Sequence, residues 1–400
     1  EDVARDLTVF YVRTGFNDRD VETLIQLTPE NSRKSILVDL AEEAERLGQK
    51  RQAISVWSML ISSKIAVLEN REKIEASARI AYMSYGLGEK QQAVSEFERG
   101  LSLWKKAGCE PDAECAILQK RFRKLVLDWN KSEETKPTAS LLSAYIAYAN
   151  AFKSDVEMAY WGGNVARELK KHREAVALYR QSAEMGAREV RSGKVSDPNV
   201  PKVFEASLVA EIEMAEASGD VKVREEAYNH YLDLNPTGEK EFEVRYQLAH
   251  IAYKRGETEK AAEQFYGLAA KHKTCESAKP ALCKTSADLA LDSLVILKRD
   301  EQLEARALEF SVKYPSAGGE YKAIARRARL NIAAQVAGKE TNTSTLNDNI
   351  KKLRQMDLNG APREEVMLSY QNRFVLAEKA KNFGEAELAI ASQIKMDGLS

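Results

Sequence analysis

Tyr246-Gln-Leu-Ala-His250-Ile-Ala-Tyr253-Lys-Arg-Gly256-Glu-Thr-Glu-Lys-Ala261-Ala-Glu-Gln-Phe265 is the stretch whose reading decides the fold. Apolar residues recur at helical spacing up to Gly256 and again after it. A glycine at that point takes the left-handed conformation that closes a helix. Ala261 then lets a second helix approach the first. Phe265, one turn later, fills the space between this hairpin and the next.

The same order of glycine turn, small residue and aromatic recurs along the chain. It stands as Leu47-Gly48, Ala53 and Trp57, and as Leu87-Gly88, Ala93 and Phe97. A third copy reads Leu169-Lys170, Ala175 and Tyr179. Weaker copies carry Ala227 with Tyr231, Ala305 with Phe310, and Phe383-Gly384 with Ala389. The copies lie about 40 residues apart, in the range of helical-hairpin repeats. Periodicity over the chain predicts about twenty helices in about ten antiparallel hairpins and no useful strand pattern. One hairpin cannot bury its apolar face alone, so neighbours stack and share a core.

The glycine, alanine and aromatic positions resemble the tetratricopeptide repeat family. The resemblance implies an all-α, right-handed superhelical solenoid running as a single array over 1–400, with sub-regions at 1–130, 131–235 and 236–400. The chain departs from the family where Arg245 stands near the usual tryptophan of the first helix. Several hairpins are also elongated. In style the chain is similar to bacterial envelope repeat proteins, including those of gliding-motility machineries. In this family the first helix of each hairpin lines the concave face. By that rule Glu243, Tyr246, His250 and Tyr253 share one face, as do Glu75, Ala78, Tyr82 and Tyr85. The rule gives Ser35, Val38, Glu42 and Glu45 for the copy at Gly48. These residues are the expected contacts for a protein or peptide partner, with ring area from tyrosine and direction from the acids. Packing between repeats is the competing role for each tyrosine.

The 60 basic and 61 acidic residues cancel to a net charge of −1, which offers no general attraction for nucleic acid. The basic run Lys120, Arg121, Arg123 and Lys124 reads as a solvated helix face. No stretch is apolar for long enough to span a membrane. The chain opens at Glu1 without a leader pattern, which is equally expected of a trimmed secreted protein. The four cysteines form two close pairs, Cys109 with Cys115 and Cys275 with Cys283, each where one hairpin gives way to the next. Two local disulfides are expected, each worth roughly 2 kcal/mol for so short a loop. They point to an oxidising compartment, the bacterial periplasm or cell surface. Reduced cysteines in a cytoplasmic protein are the alternative.

No catalytic motif is present: there is no HExxH, no GxSxG and no phosphate-binding loop. Gly162-Gly163 lies inside a helical pattern and is expected to serve close helix packing. The chain is therefore read as a scaffold, without catalytic residues, metal or cofactor. A cell-wall or glycan-associated solenoid, binding sugar on clustered aromatics, is the second reading.

Overall fold

The computed structural model describes residues 2–107, 113–195, 197–272 and 280–397. The chain divides into two compact units, Glu1–Leu234 and Asn235–Ser400. The first contains α1 (Asp2–Thr14), α2 (Asp18–Leu27), α3 (Arg33–Arg46), α4 (Lys50–Ser62), α5 (Asn70–Gly86) and α6 (Lys90–Ala107). It continues with α7 (Ala113–Ser132), α8 (Ala139–Ala151), α9 (Val156–Glu168), α10 (His172–Ser192), α11 (Val200–Ala217) and α12 (Val221–Leu234). The second contains α13 (Glu241–Lys254), α14 (Thr258–Tyr266), α15 (Pro280–Ile296) and α16 (Asp300–Lys313). It ends with α17 (Gly318–Lys339), α18 (Thr343–Arg354), α19 (Arg363–Lys379) and α20 (Phe383–Asp397). No strand occurs among the described residues. The all-α array of helix hairpins expected from the repeats is the fold.

One turn geometry is used six times among the described residues. Gly48, Gly88 and Gly256 have φ of +77°, +78° and +79°, while Lys170, Lys298 and Lys381 have φ of +56°, +55° and +55°. The residue after each donates its N–H to the carbonyl five back, as in Gln49 to Ala44 at 2.9 Å and Arg299 to Leu294 at 3.0 Å. That bond is the Schellman closure of the first helix. The same residue's carbonyl accepts the first bond of the second helix, so a single residue ends one helix and starts the next. Five residues past the turn stand Ala53, Ala93, Ala175, Ala261 and Ala386, with Leu303 in the sixth copy, all buried. Nine past it stand Trp57, Phe97, Tyr179 and Phe265, also buried.

Two of the weaker copies sit in a different register from the one expected. The last turn is at Lys381 rather than Gly384, and its small residue is Ala386. In the copy before it the turn is at Lys298, and Ala305 is exposed while Leu303 and Ala307 face the core. Lysine hid these turns, because a side chain in the left-handed region costs roughly 1 kcal/mol and glycine is the usual occupant. Lys298→Gly is therefore expected to stabilise the second unit by about 0.5 kcal/mol, the relief of strain being partly offset by a freer unfolded chain. Gly256→Ala is expected to cost about 1 kcal/mol. Urea midpoints of the two variants check the opposite signs.

Packing follows the repeat. The first unit has one apolar cluster from α1 through α5 and a second from α5 through α12. The second unit has one from α13 to α17 and another from α17 to α20. Gly162 and Gly163 let α9 lie close to its neighbours, as expected. A Cβ on Gly163 would stand 2.6 Å from the Tyr179 ring, and one on Gly162 would stand 3.0 Å from Cβ of Tyr145.

Cys115 and Cys283 are buried, and among the described residues no cysteine is free. The expected pairings involve Cys109 and Cys275, which lie outside the described residues.

Candidate functional site

A cleft of the first unit lies between α3, α5 and α7. It has a volume of about 290 Å³ and is lined by Glu45, Ala78, Arg79, Tyr82, Arg121, Lys124 and Leu125. α3 and α5 are the first helices of the hairpins that turn at Gly48 and Gly88, and α7 packs on α5. The wall residues Ala78, Arg79 and Tyr82 are three and four apart on α5, so the helix presents them together. Arg121, Lys124 and Leu125 do the same on α7.

Arg79 is the hub. Its Nη1 donates to Glu45 at 2.9 Å, and its Nη2 donates to Glu42 at 3.0 Å and to Glu75 at 2.9 Å. Its guanidinium also lies 5.4 Å from the centre of the Trp57 ring. Arg121 reaches across from α7 to the same Glu75. Burial pushes the Glu75 carboxyl up, but the hydrogen bonds from Arg79 and Arg121 outweigh it and hold the group below its ordinary value. For Arg79 burial works against the charge, and Glu45 and Glu75 more than restore it. The acids and the two arginines thus satisfy one another and fix the wall.

Two side chains are left facing outward. Tyr82 is 47% exposed. Lys124 is exposed and makes no ion pair among the described residues. Ala78 and Leu125 form the apolar floor beneath them. The arrangement offers a ring edge, a hydroxyl and an uncommitted ammonium over a small greasy surface, which suits an extended polypeptide with an acidic or carbonyl group.

The expected contact residues fall into three situations. Tyr82 lines the cleft and Glu75 braces it. Tyr85 is turned away, with its ring centre 5.1 Å from that of Trp129 and its hydroxyl bonded to Ser132. The α13 set lies in the other unit, and its tyrosines are half-buried against that unit's core. Tyr246 and Tyr253 stand edge-on to Phe265, with centroids 5.8 and 6.4 Å away. His250 stacks on Tyr246 at 6.3 Å, and Glu243 is half-buried.

Sequence reasoning passed over Arg79 and placed Arg121 and Lys124 on a solvated helix face. Arg79 is four residues after Glu75 and belonged to the same face by spacing alone. The run from Lys120 to Lys124 is not one solvated face. Arg121 crosses to α5, and Arg123 binds Asp155 at 2.9 Å and Glu157 at 2.8 Å with Trp161 beneath it. Of the four tryptophans, Trp57 and Trp129 are buried and Trp104 and Trp161 half-buried. Among the described residues no cluster of His, Cys, Asp and Glu could hold a metal ion, and no helix is long and apolar enough to cross a membrane.

No family model and no curated protein matches the chain. Among solved structures, the TPR domain of P58(IPK) aligns over 99% of this chain and 98% of that chain, at 12% identity and a TM-score of 0.22. A signal-transduction ATPase with a tetratricopeptide repeat sensor, from Pyrococcus horikoshii, covers 100% of this chain with 48% of its own length, at 12% identity and a TM-score of 0.22. Yeast Tom70 aligns over 98% of this chain and 84% of its own, at 14% identity and a TM-score of 0.20. Likenesses at this level carry none of those proteins' activities or partners to this chain.

Proposed function

We propose that the chain is a protein-interaction scaffold that holds an extended segment of a partner protein across α3, α5 and α7. The observation that supports this best is the division of labour in the cleft. Arg79 and Arg121 are locked by Glu42, Glu45 and Glu75, while Tyr82 and Lys124 have no such commitment. A wall fixed before binding loses little freedom on binding, which favours affinity from a modest contact area. The α13 face with Tyr246, His250 and Tyr253 is a further contact region in this reading, reached through the tyrosine hydroxyls and the imidazole edge.

Panning a displayed peptide library on the full chain tests the reading. Selected peptides are expected to bind the Tyr82→Ala, Lys124→Glu double variant at least about tenfold more weakly, since it removes both the ring and the favourable charge. Peptides that bind the double variant as well as the parent would sink the proposal. Both positions are exposed or rim-placed, so the variant is expected to keep the parent's helical content.

The setting proposed for this scaffold is the envelope of a bacterium, with disulfides joining Cys109 to Cys115 and Cys275 to Cys283. Buried, unfree Cys115 and Cys283 and the similarity in style to envelope repeat proteins support it. Mass spectrometry of denatured, unreduced protein taken directly from its source is expected to find no alkylatable thiol and to recover both linked peptides. Four alkylated cysteines would instead favour a cytoplasmic adaptor.

A further inference from the structure

The second unit carries a cleft of different chemistry between α16, α17 and α18. Its volume is about 360 Å³, and Leu308, Lys322, Ala325, Arg326, Lys352 and Met356 are among its lining residues. Arg326 is the unusual member, being only 7% exposed. Its Nε donates to Glu365 at 2.5 Å, and neither Nη makes a hydrogen bond among the described residues. Glu365 does not belong to Arg326 alone, because its other oxygen accepts from Nε of Arg327 at 2.7 Å. Arg329 is held by Glu304. Lys322 stands 3.8 Å from Asp357, a loose and exposed pair. Lys352 is exposed and has no ion pair among the described residues. Five cations therefore share three carboxylates, and the least exposed guanidinium keeps its forked Nη edge free of any protein acceptor among the described residues.

The two Nη groups, without a protein partner, are not among the side-chain atoms sealed from solvent, so the fork is open to a ligand in the cleft. The group that fits a guanidinium fork is a planar or tetrahedral oxyanion, and a nearby ammonium adds charge without demanding geometry. The rest of the cleft is not built for a free ion. Leu308 is 48% exposed and Met356 half-buried, so apolar surface adjoins the cations. We propose that this cleft is a second binding site, which takes an acidic side chain followed by a bulky apolar residue within a segment of a partner protein. The carboxylate meets Arg326 and Lys352, and the apolar residue covers Leu308 and Met356. The site lies wholly in the second unit, so it stands or falls separately from the cleft at Tyr82.

The test uses the full chain and a fluorescein-labelled, amide-capped peptide of two glutamates followed by leucine, flanked by glycine and serine. A twin with glutamine for glutamate is the control, and binding is read by fluorescence anisotropy. The acidic peptide is expected to bind at least about tenfold more tightly than its twin, as charge-assisted bonds to a guanidinium are the strong ones. Lys352→Glu is expected to weaken it by about the same factor, and Leu308→Ser to weaken it several-fold. Lys202→Glu, at an exposed position in the other unit away from both clefts, is expected to leave it unchanged. Arg326→Met is the most direct variant but disturbs the core, so the exposed Lys352 and Leu308 carry the decision. Equal binding of the two peptides, or no effect of Lys352→Glu, would overturn the proposal. So would full displacement by equimolar inorganic phosphate with Leu308→Ser silent, since the cleft would then hold an oxyanion and no peptide.

Discussion

Phe265→Ala is expected to destabilise the second unit by about 3–5 kcal/mol, the range for emptying a fully buried aromatic site. Phe265 has no exposed surface and is the ring on which Tyr246 and Tyr253 lean from α13. It also packs with Ala249, Ala252 and Leu268 in the cluster that runs on to α17. Removing it withdraws transfer energy, opens a cavity and takes away the edge contact of two tyrosines. Leucine at the same position fills most of the volume and is expected to cost less than half as much. A long hairpin array need not unfold in one step. Amide exchange across α13 and α14 is therefore the better readout, with the first unit as an internal control. A loss under about 1 kcal/mol would mean that the site collapses freely, contrary to the close packing inferred here.

Glu385→Ala is expected to cost about 3–5 kcal/mol, because it leaves a buried guanidinium without its counter-ion. Glu385 is 5% exposed, accepts from Nε of Arg373 at 2.9 Å and lies 3.3 Å from Arg354. Arg354 is largely solvated and can turn to water. Arg373 is not, for its side chain is 11% exposed and its guanidinium lies 5.7 Å from the centre of the Tyr370 ring. The cost thus comes from the stranded partner more than from the lost attraction. The double variant Glu385→Leu, Arg373→Met removes both charges and is expected to recover most of the stability. A double-mutant cycle on denaturant midpoints measures this coupling. If the double variant were as unstable as Glu385→Ala, the loss would have to be ascribed to packing at α20 instead.

The hairpin turn was legible where glycine writes it plainly, and at Lys170 where Ala175 and Tyr179 kept the rest of the pattern, but not at Lys298 and Lys381. Gly48, Gly88 and Gly256 announced three turns, and the third lysine turn, at Lys381, was displaced by the nearby Gly384. The small-residue and aromatic positions were legible because volume constrains them: alanine at a close crossing and a ring in the gap leave few substitutes. Interaction sites are written less clearly. Tyr82, Tyr85, Tyr246 and Tyr253 read alike in sequence, yet one lines a cleft and three lean on core rings. Their difference lies in what the neighbouring helix supplies, Trp129 for Tyr85 and Phe265 for the α13 pair. Arg326 shows the same limit from the other side. It is one of several arginines in a charged helix, and only the fold reveals that both of its Nη groups are left without a protein partner among the described residues.

The claim at the centre is that a partner segment lies across α3, α5 and α7. Hydrogen exchange of the full chain with and without a selected peptide tests it most directly. The prediction is slowed exchange in peptic fragments covering Asn70–Gly86 and the part of α7 that carries Arg121 and Lys124, with α4 and α6 unchanged. Protection confined to α4 and α6, or spread over neither unit, would contradict it.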